Sequence, residues 1–391
     1  LTVVRPLSKT PVGVPPAADE ASGPLKNEPP GNAPPGVESG VEPPGGDASV
    51  ARPEDSSPRP ARRPATISDV AELAGVSRAT VSRVVNGLST VAPEIAERVS
   101  AAIALLEYHP STLARSLSLG STQTVAVVVP DLENPMFQSV LRGVTRAAAT
   151  SGYRVLVADT EEHAEVESDV AAEARRRCDA LVFCAPRMPD DVLRTLLPRL
   201  EPVVLVNRRA SDPGVPTVVV DYAAGSQALA EHLVSLGHRR IAYLAGPAGS
   251  TSDALRREGF GPVLAASADV EFTILPTGAR IEDGHRVAPD FLASRCTAAL
   301  AFNDLVAFGL LTGLRESGVD VPGEVSVAGF DDIPFAAYAT PPLTTVAVAQ
   351  LELGAQAWNL LHEAIHGTVP TAPFLHRPEI VVRASTAGVR A

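Results

Sequence analysis

Four side chains in one short stretch, Arg78, Ala79, Ser82 and Arg83, have types and spacing suited to contacting DNA. An arginine can fork onto O6 and N7 of a guanine, whereas an alanine offers only a methyl contact, for instance to thymine. A second set, His362, Glu363 and His366, spells H-E-x-x-H. On a helix that spacing puts two imidazoles on one face for zinc, with the glutamate as general base. One set implies a DNA reader and the other a metallohydrolase, so the elements that position each must decide between them.

The first set lies in TISDVAELAGVSRATVSRVVNG, residues 66–87. Thr66 stands three residues before Asp69, a capping box that starts a helix with an acid in its positive first turn. Val70, Leu73 and Ala74 form one apolar stripe; Gly75 breaks the helix, and Ser77 caps a second one in which Val81, Val84 and Val85 repeat the spacing. Packing those valines inward leaves the four DNA-suited side chains outside, in the first turns of the second helix. That is the end a helix-turn-helix presents to base edges, although a plain helical hairpin shares the amphipathic pattern. Residues 91–106 predict a third helix, with Pro93 in its first turn and Ile95, Val99, Ile103 and Leu106 as its stripe.

The zinc set is supported less well. Gly367 ends the helix at once, no H-x-x-G-x-x-H continuation follows, and the only acid in the following stretch is Glu379. The two histidines read instead as a surface-facing helix end, and no metal is expected. Phosphate loops, G-x-G-x-x-G turns and G-x-S-x-G elbows are missing too, so neither an enzyme nor a cofactor is expected.

AGVSRATVSRVVNG, residues 74–87, closely resembles the N-terminal module of the lactose/purine repressor family of bacterial transcription regulators. The resemblance implies that the second helix enters the major groove of double-stranded DNA. Arg78, Ala79 and Arg83 would read bases there, with Thr66, Ser77, Thr80, Ser82 and Asn86 completing the contact. YHPSTLARSLSLGS, residues 108–121, is similar to the family's hinge helix. In that role Leu117 wedges into the minor groove at the operator centre, partly unstacking a base step, and Ser118 tunes specificity. On its own the stretch reads equally as an interdomain linker. The resemblance also implies a homodimer, or a tetramer, on a pseudo-palindromic operator.

Bulk properties set limits on this reading. The 391 residues are enough for two or three domains, and 45% apolar composition supports sizeable cores. A net charge of -12 argues against non-specific coating of nucleic acid, so a local patch must supply the positive field. Lys9 and Lys26 are the only lysines, leaving arginine for every later basic contact, which suits guanine and phosphate forks. A GC-rich genome produces the same skew toward Arg, Ala and Pro. Cys178, Cys184 and Cys296 are unclustered and odd in number, as in a reduced cytoplasmic protein, and no apolar stretch approaches a membrane helix. Residues 1–60 hold fourteen prolines without apolar periodicity and read as disordered. The chain begins with Leu, and one expectation is that this tail precedes a natural start near Arg62. Intact mass of the protein from its native host checks this; a species carrying the tail contradicts it.

From Thr124 onward, short apolar runs alternate with helical stretches, predicting strands at 125–129, 155–158, 181–184, 203–206, 218–220, 241–244, 298–302 and 325–329. Continuous valine-rich strands between helices mean doubly wound parallel sheets covered on both faces. The expected fold is α/β: a three-helix helix-turn-helix domain (61–109), a hinge helix (110–122) and a two-lobed, periplasmic-binding-protein-like body (123–391) for effector binding and dimerisation. Lobe 1 takes about 123–220 and 349–376; lobe 2 takes about 221–348 and 377–391.

In such folds ligands lie beyond the carboxyl ends of the strands, here Asp131 to Phe137, Asp159, Asn207, Asp221, Gly246, Asn303 and Asp331. The resemblance places effector contacts at Phe137 in NPMF, Asn207 in LVNRR, Arg256 in R-x-x-G, Asn303 in FND and Asp331 in GFDD. Asn303 and Asp331 would serve equally as helix caps, and Arg256 as a surface residue. Residues 261–280 are short and irregular for the family, and the aromatic that relatives place near Ala279 is missing. A sugar is the first expectation for the effector, a nucleobase or nucleoside the second. The competing readings are a two-lobed sugar-binding protein without DNA function, which leaves the N-terminal module without a purpose, and the zinc hydrolase.

Overall fold

The computed structural model describes residues 3–4, 63, 65–85, 91–109, 120–210, 212, 214–368 and 373–389. Asn86, the hinge positions Leu117 and Ser118, and all of the 1–60 tail but Val3–Val4 lie outside the described residues. The chain divides into two compact units, 8–110 and a larger one comprising 1–7 and 111–391.

In the smaller unit, the capping box at Thr66 forms as its spacing predicts. The Thr66 hydroxyl accepts from Asp69 N at 3.4 Å, and the Asp69 carboxylate accepts from Thr66 N at 2.7 Å, starting α1 (Ile67–Ala74). Gly75 then turns the chain at φ 64°, a left-handed conformation that strains any residue with a Cβ. Ser77 Oγ accepts from Thr80 N at 3.1 Å at the head of α2 (Arg78–Val85). The third helix, α3, is Pro93–Leu105, slightly shorter than expected, with proline in its first turn. Val70, Ala71, Ala74, Val81, Val99 and Ala102 make the core. Leu73 was expected on this stripe but is 49% exposed, because the partner helices cover the Ala71 side of α1.

In the larger unit, β2 (Thr124–Val129), β3 (Arg154–Asp159), β4 (Ala180–Cys184), β5 (Val203–Val206) and β6 (Thr217–Val220) build a parallel sheet. Val127 of β2 lies between Val157 and Val182, and β2 is buried along almost its whole length, which is why Val125–Val129 reads as an unbroken apolar run. The backbone of β1 (Val3–Val4) pairs with the free edge of β3. Helices α4 (Pro135–Thr150), α5 (Glu167–Arg177) and α6 (Asp190–Leu200) connect these strands. After α7 (Tyr222–Ser235) a second parallel sheet begins, in the order β10-β9-β7-β8: β7 (Arg240–Ala245), β8 (Glu271–Pro276), β9 (Ala298–Ala301) and β10 (Ser326–Ala328). Its helices are α8 (Thr251–Glu258), α9 (Phe260–Ala266), α10 (Ile281–Arg286), α11 (Ala288–Ala293) and α12 (Asp304–Glu316). The chain returns through β11 (Thr345–Ala347) and α13 (Gln350–Ile365) to β12 (Phe374–His376), beside β6 in the first sheet, and then to β13 (Glu379–Val381), antiparallel to β11. These two sheets are the two lobes.

β8 falls within the 261–280 stretch that had offered no strand pattern. It is the outer strand of its sheet, half-exposed along its length, so it lacks the apolar run by which the others were found. Three short strands near the C-terminus, β11 to β13, escaped notice for lack of length.

Helices α4 and α13 cross at glycines. A Cβ on Gly143 would sit 2.2 Å from the Leu351 carbonyl oxygen, and one on Gly354 would sit 2.1 Å from that of Val140. Neither backbone can yield without parting the helices. Gly354→Ala should therefore lower stability by about 1–3 kcal/mol, the usual cost of overpacking. Urea unfolding checks this; an unchanged midpoint contradicts so close a crossing.

Candidate DNA-reading face and ligand cavity

Helix α2 carries two arginines and no acid, and its fold turns them outward. Val81 is fully buried, while Arg78, Ala79 and Arg83 are exposed. Ser77 is exposed as well, and Thr66, Thr80 and Ser82 are partly so. The expected outward face is therefore present on the described part of the helix.

The second site grows from strand ends. Phe137 lies in the first turn of α4, whose N-cap is Asn134. Asn207 directly follows β5 at φ 57°. Asn303 follows Phe302 at the end of β9, and Asp331 lies three residues past β10 at φ 115°. Arg256 comes from α8, whose start is pinned to β7: Asp253 accepts from the Tyr243 hydroxyl at 2.8 Å and from Gly246 N at 2.6 Å. All five residues line one cavity.

Arg256 dominates that cavity. It is 2% exposed, not a surface residue, and its guanidinium carbon lies 4.3, 4.5 and 4.1 Å from the ring centroids of Tyr222, Phe302 and Phe330. Desolvated cation–π contacts are worth about 2 kcal/mol or more, which offsets part of the cost of burying the charge. Its Nη2 is 3.7 Å from Asp331 Oδ1, too long for a hydrogen bond. Among the described residues, Arg256 Nε and Nη1, Asp331 Oδ1 and both amide atoms of Asn207 are buried without a hydrogen-bond partner. Such groups are rare in folded proteins, and here they converge from both lobes on one space.

The backbone at Asp331 is held against strain. Asp331 N donates to the Val346 carbonyl at 2.8 Å, and its own carbonyl accepts from the Gln350 side chain. Two residues on, Ile333 N donates to buried Asp304 at 2.8 Å, and the Thr345 hydroxyl donates to the same carboxyl at 2.5 Å. Unfavourable φ persists where the surroundings fix it in this way. Asp331 caps no helix; Asn303 does. Asn303 Oδ1 accepts from Val306 N and its Nδ2 donates to the Ala279 carbonyl, both at 2.9 Å, so its amide is already used.

Several lining residues were missed. Tyr222 and Phe302 adjoin the strand-end positions Asp221 and Asn303, so the same rule could have found them. Arg187 and Glu162 follow β4 and β3 at a distance of three residues, beyond where the rule looks. Of the other strand-end residues, Asp221 caps α7, and Asp159 accepts from Leu132 N and Glu161 N to hold its turn. The H-E-x-x-H set forms no donor cluster. His362 packs against Trp358 and His366, with ring centroids 5.2 and 4.4 Å away, and His366 Nδ1 lies 2.7 Å from the His362 carbonyl. Among the described residues no group of three or more His, Cys, Asp or Glu could hold a metal ion, and no helix is long and apolar enough to cross a membrane.

A helix-turn-helix with an arginine-bearing outer face and a two-lobed α/β body around a polar cavity define a class: regulators built from a DNA module and a periplasmic-binding-protein-like body. Residues 66–111 match the family described as bacterial regulatory proteins, lacI family, and residues 230–386 match a periplasmic binding protein-like domain. The HTH-type transcriptional regulator GalS of Salmonella typhimurium is 34% identical over 331 residues, covering 82% of this chain and 96% of GalS. GalR of Escherichia coli is 34% identical over 327 residues, covering 82% and 95%. A solved structure of the Lac repressor dimer, bound to operator and the anti-inducer ONPF, superposes with a TM-score of 0.75 at 28% identity, covering 83% of this chain and all of that one. The chain belongs to the lacI family of bacterial regulatory proteins, and it is a transcription regulator, not an enzyme.

Burial pushes the Asp331 carboxyl up to about 7, against the pull of the Arg256 cation. The folded protein therefore binds this proton more tightly than the unfolded chain, whose Asp titrates near 3.9. The associated stability is complete below the unfolded value and is lost as pH rises through about 7. Relative to Asp331→Asn, the wild type should lose thermal stability between pH 4 and pH 7; a constant difference in melting temperature contradicts the assignment.

Proposed function

We propose that the protein is a cytoplasmic, homodimeric repressor of a pseudo-palindromic operator, whose grip on DNA is controlled by a small effector, first of all a sugar, held between the lobes. One observation carries this reading: buried polar atoms of Arg256, Asp331 and Asn207, contributed by both lobes, face the same cavity without partners. A ligand that satisfies them favours one lobe arrangement over others, and a ligand shifts an equilibrium only through such a difference. The solved Lac repressor dimer, holding operator and anti-inducer together, supports the same arrangement. Three free, buried cysteines suit a reducing cytoplasm.

In this reading Arg78, Ala79 and Arg83 read bases, while Thr66, Ser77, Thr80 and Ser82 position the helix on the backbone. Asn86, Leu117 and Ser118, outside the described residues, complete the DNA contact. Phe137, Asn207, Arg256, Asn303 and Asp331 form the effector site, with Asn303 acting as a cap that shapes the wall. The DNA domain runs over 61–109, the hinge over 110–122 and the body over 123–391.

Selection of genomic fragments with the purified protein, followed by binding to the enriched fragment with a sugar and nucleoside panel, tests the whole reading. A short palindrome whose binding responds to one compound is expected; a compound that binds without any sequence enrichment would reduce the protein to a ligand-binding module. On that palindrome, Arg83→Ala should cost about 1–3 kcal/mol and relax preference at one base pair. Equal weakening on every sequence would make Arg83 a phosphate contact instead.

A further inference from the structure

The effector cavity contains two arginines, each facing a carboxyl group, and of the two only Arg256 keeps unpaired donors. Arg187 is 7% exposed and its fork is fully engaged: Nε donates to Glu162 Oε2 at 2.7 Å and Nη2 to Oε1 at 2.8 Å, the bidentate geometry a ligand carboxylate or phosphate would otherwise take. Arg256 faces Asp331, and three aromatic rings cover its guanidinium. Two cations thus meet two carboxyl groups inside the cavity.

What remains unpaired alternates in character. Arg256 Nε and Nη1 donate, Asp331 Oδ1 accepts, and Asn207 does both. Adjacent hydroxyls answer this pattern, one donating to Asp331 while its neighbour accepts from Arg256. A planar base lacks a sandwich, since the rings of Tyr222 and Phe302 already lie against the guanidinium. Phe137 remains for stacking a sugar face.

We propose that Glu162 is a specificity-determining residue: by occupying the Arg187 fork it selects a neutral sugar and excludes sugar acids and sugar phosphates, while the ring faces already engaged by Arg256 leave no sandwich for a nucleobase. The proposal rests on the cavity being the effector site.

The test uses the full-length protein and reads binding by calorimetry and thermal shift, without DNA. The probes are D-galactose, D-glucose, D-ribose, D-gluconate, D-glucose 6-phosphate and hypoxanthine. The wild type should bind a neutral sugar at least tenfold more tightly than the acid, phosphate or base. In Glu162→Gln the freed guanidinium should raise acid or phosphate affinity relative to the neutral sugar tenfold or more. Adding Arg187→Met should abolish that gain, which a change of shape alone would not do. Tighter binding of an anion or hypoxanthine by the wild type, no binding of any probe, or an unchanged ratio in a folded Glu162→Gln would each overturn the proposal. Should Glu162→Gln fail to fold, the wild-type ratio still decides. A neutral sugar that binds as expected yet leaves operator affinity untouched would sink the regulatory reading and leave this one standing.

Discussion

The body of this protein depends on one buried cation. Arg256 has lost its water and is held by three ring faces and a carboxylate 3.7 Å away, with two of its nitrogens still unpaired. A desolvated charge with incomplete partners is costly, and it persists only because the surrounding structure fixes it. Asp253 pins α8 to β7, Asp304 and Thr345 pin the backbone around Asp331, and Phe302 packs its ring against Gly246, where a Cβ would lie 2.4 Å from it.

The scaffold explains why so many polar groups meet there. Parallel strands end on the same side of each sheet, so the residues that follow them gather at one rim. Asn207 arrives from the first sheet, and Asn303 and Asp331 arrive from the second. The chain passes between lobes after β6, before α13 and after β12, so a ligand contacting both rims can bias how the lobes stand.

Much of this was legible in the sequence, for identifiable reasons. The capping box at Thr66 and the Gly75 turn are local signals needing no tertiary context, and they formed as read. Fully buried parallel strands such as Thr124–Val129 announce themselves as apolar runs. The half-exposed edge strand Glu271–Pro276 has no such run, and Leu73 shows that an apolar stripe does not say how much of itself a small core will cover. In the cavity, residues with a family position were placed, whereas Glu162 and Arg187 were not, because their pairing spans 25 residues and arises from the fold alone. Asn303 was open to two readings, effector contact and helix cap, and its hydrogen bonds make it chiefly a cap.

The central claim is that the cavity and the operator site share one conformational equilibrium. Linkage requires that the factor by which a ligand changes operator affinity equal the factor by which operator changes ligand affinity. The direct measurement is therefore ligand affinity by calorimetry, for the free protein and for its operator complex. The account predicts unequal affinities whose ratio matches the ligand's effect on operator binding. Identical affinities in the two states would contradict it, leaving a DNA-binding protein and a ligand-binding body that merely share a chain.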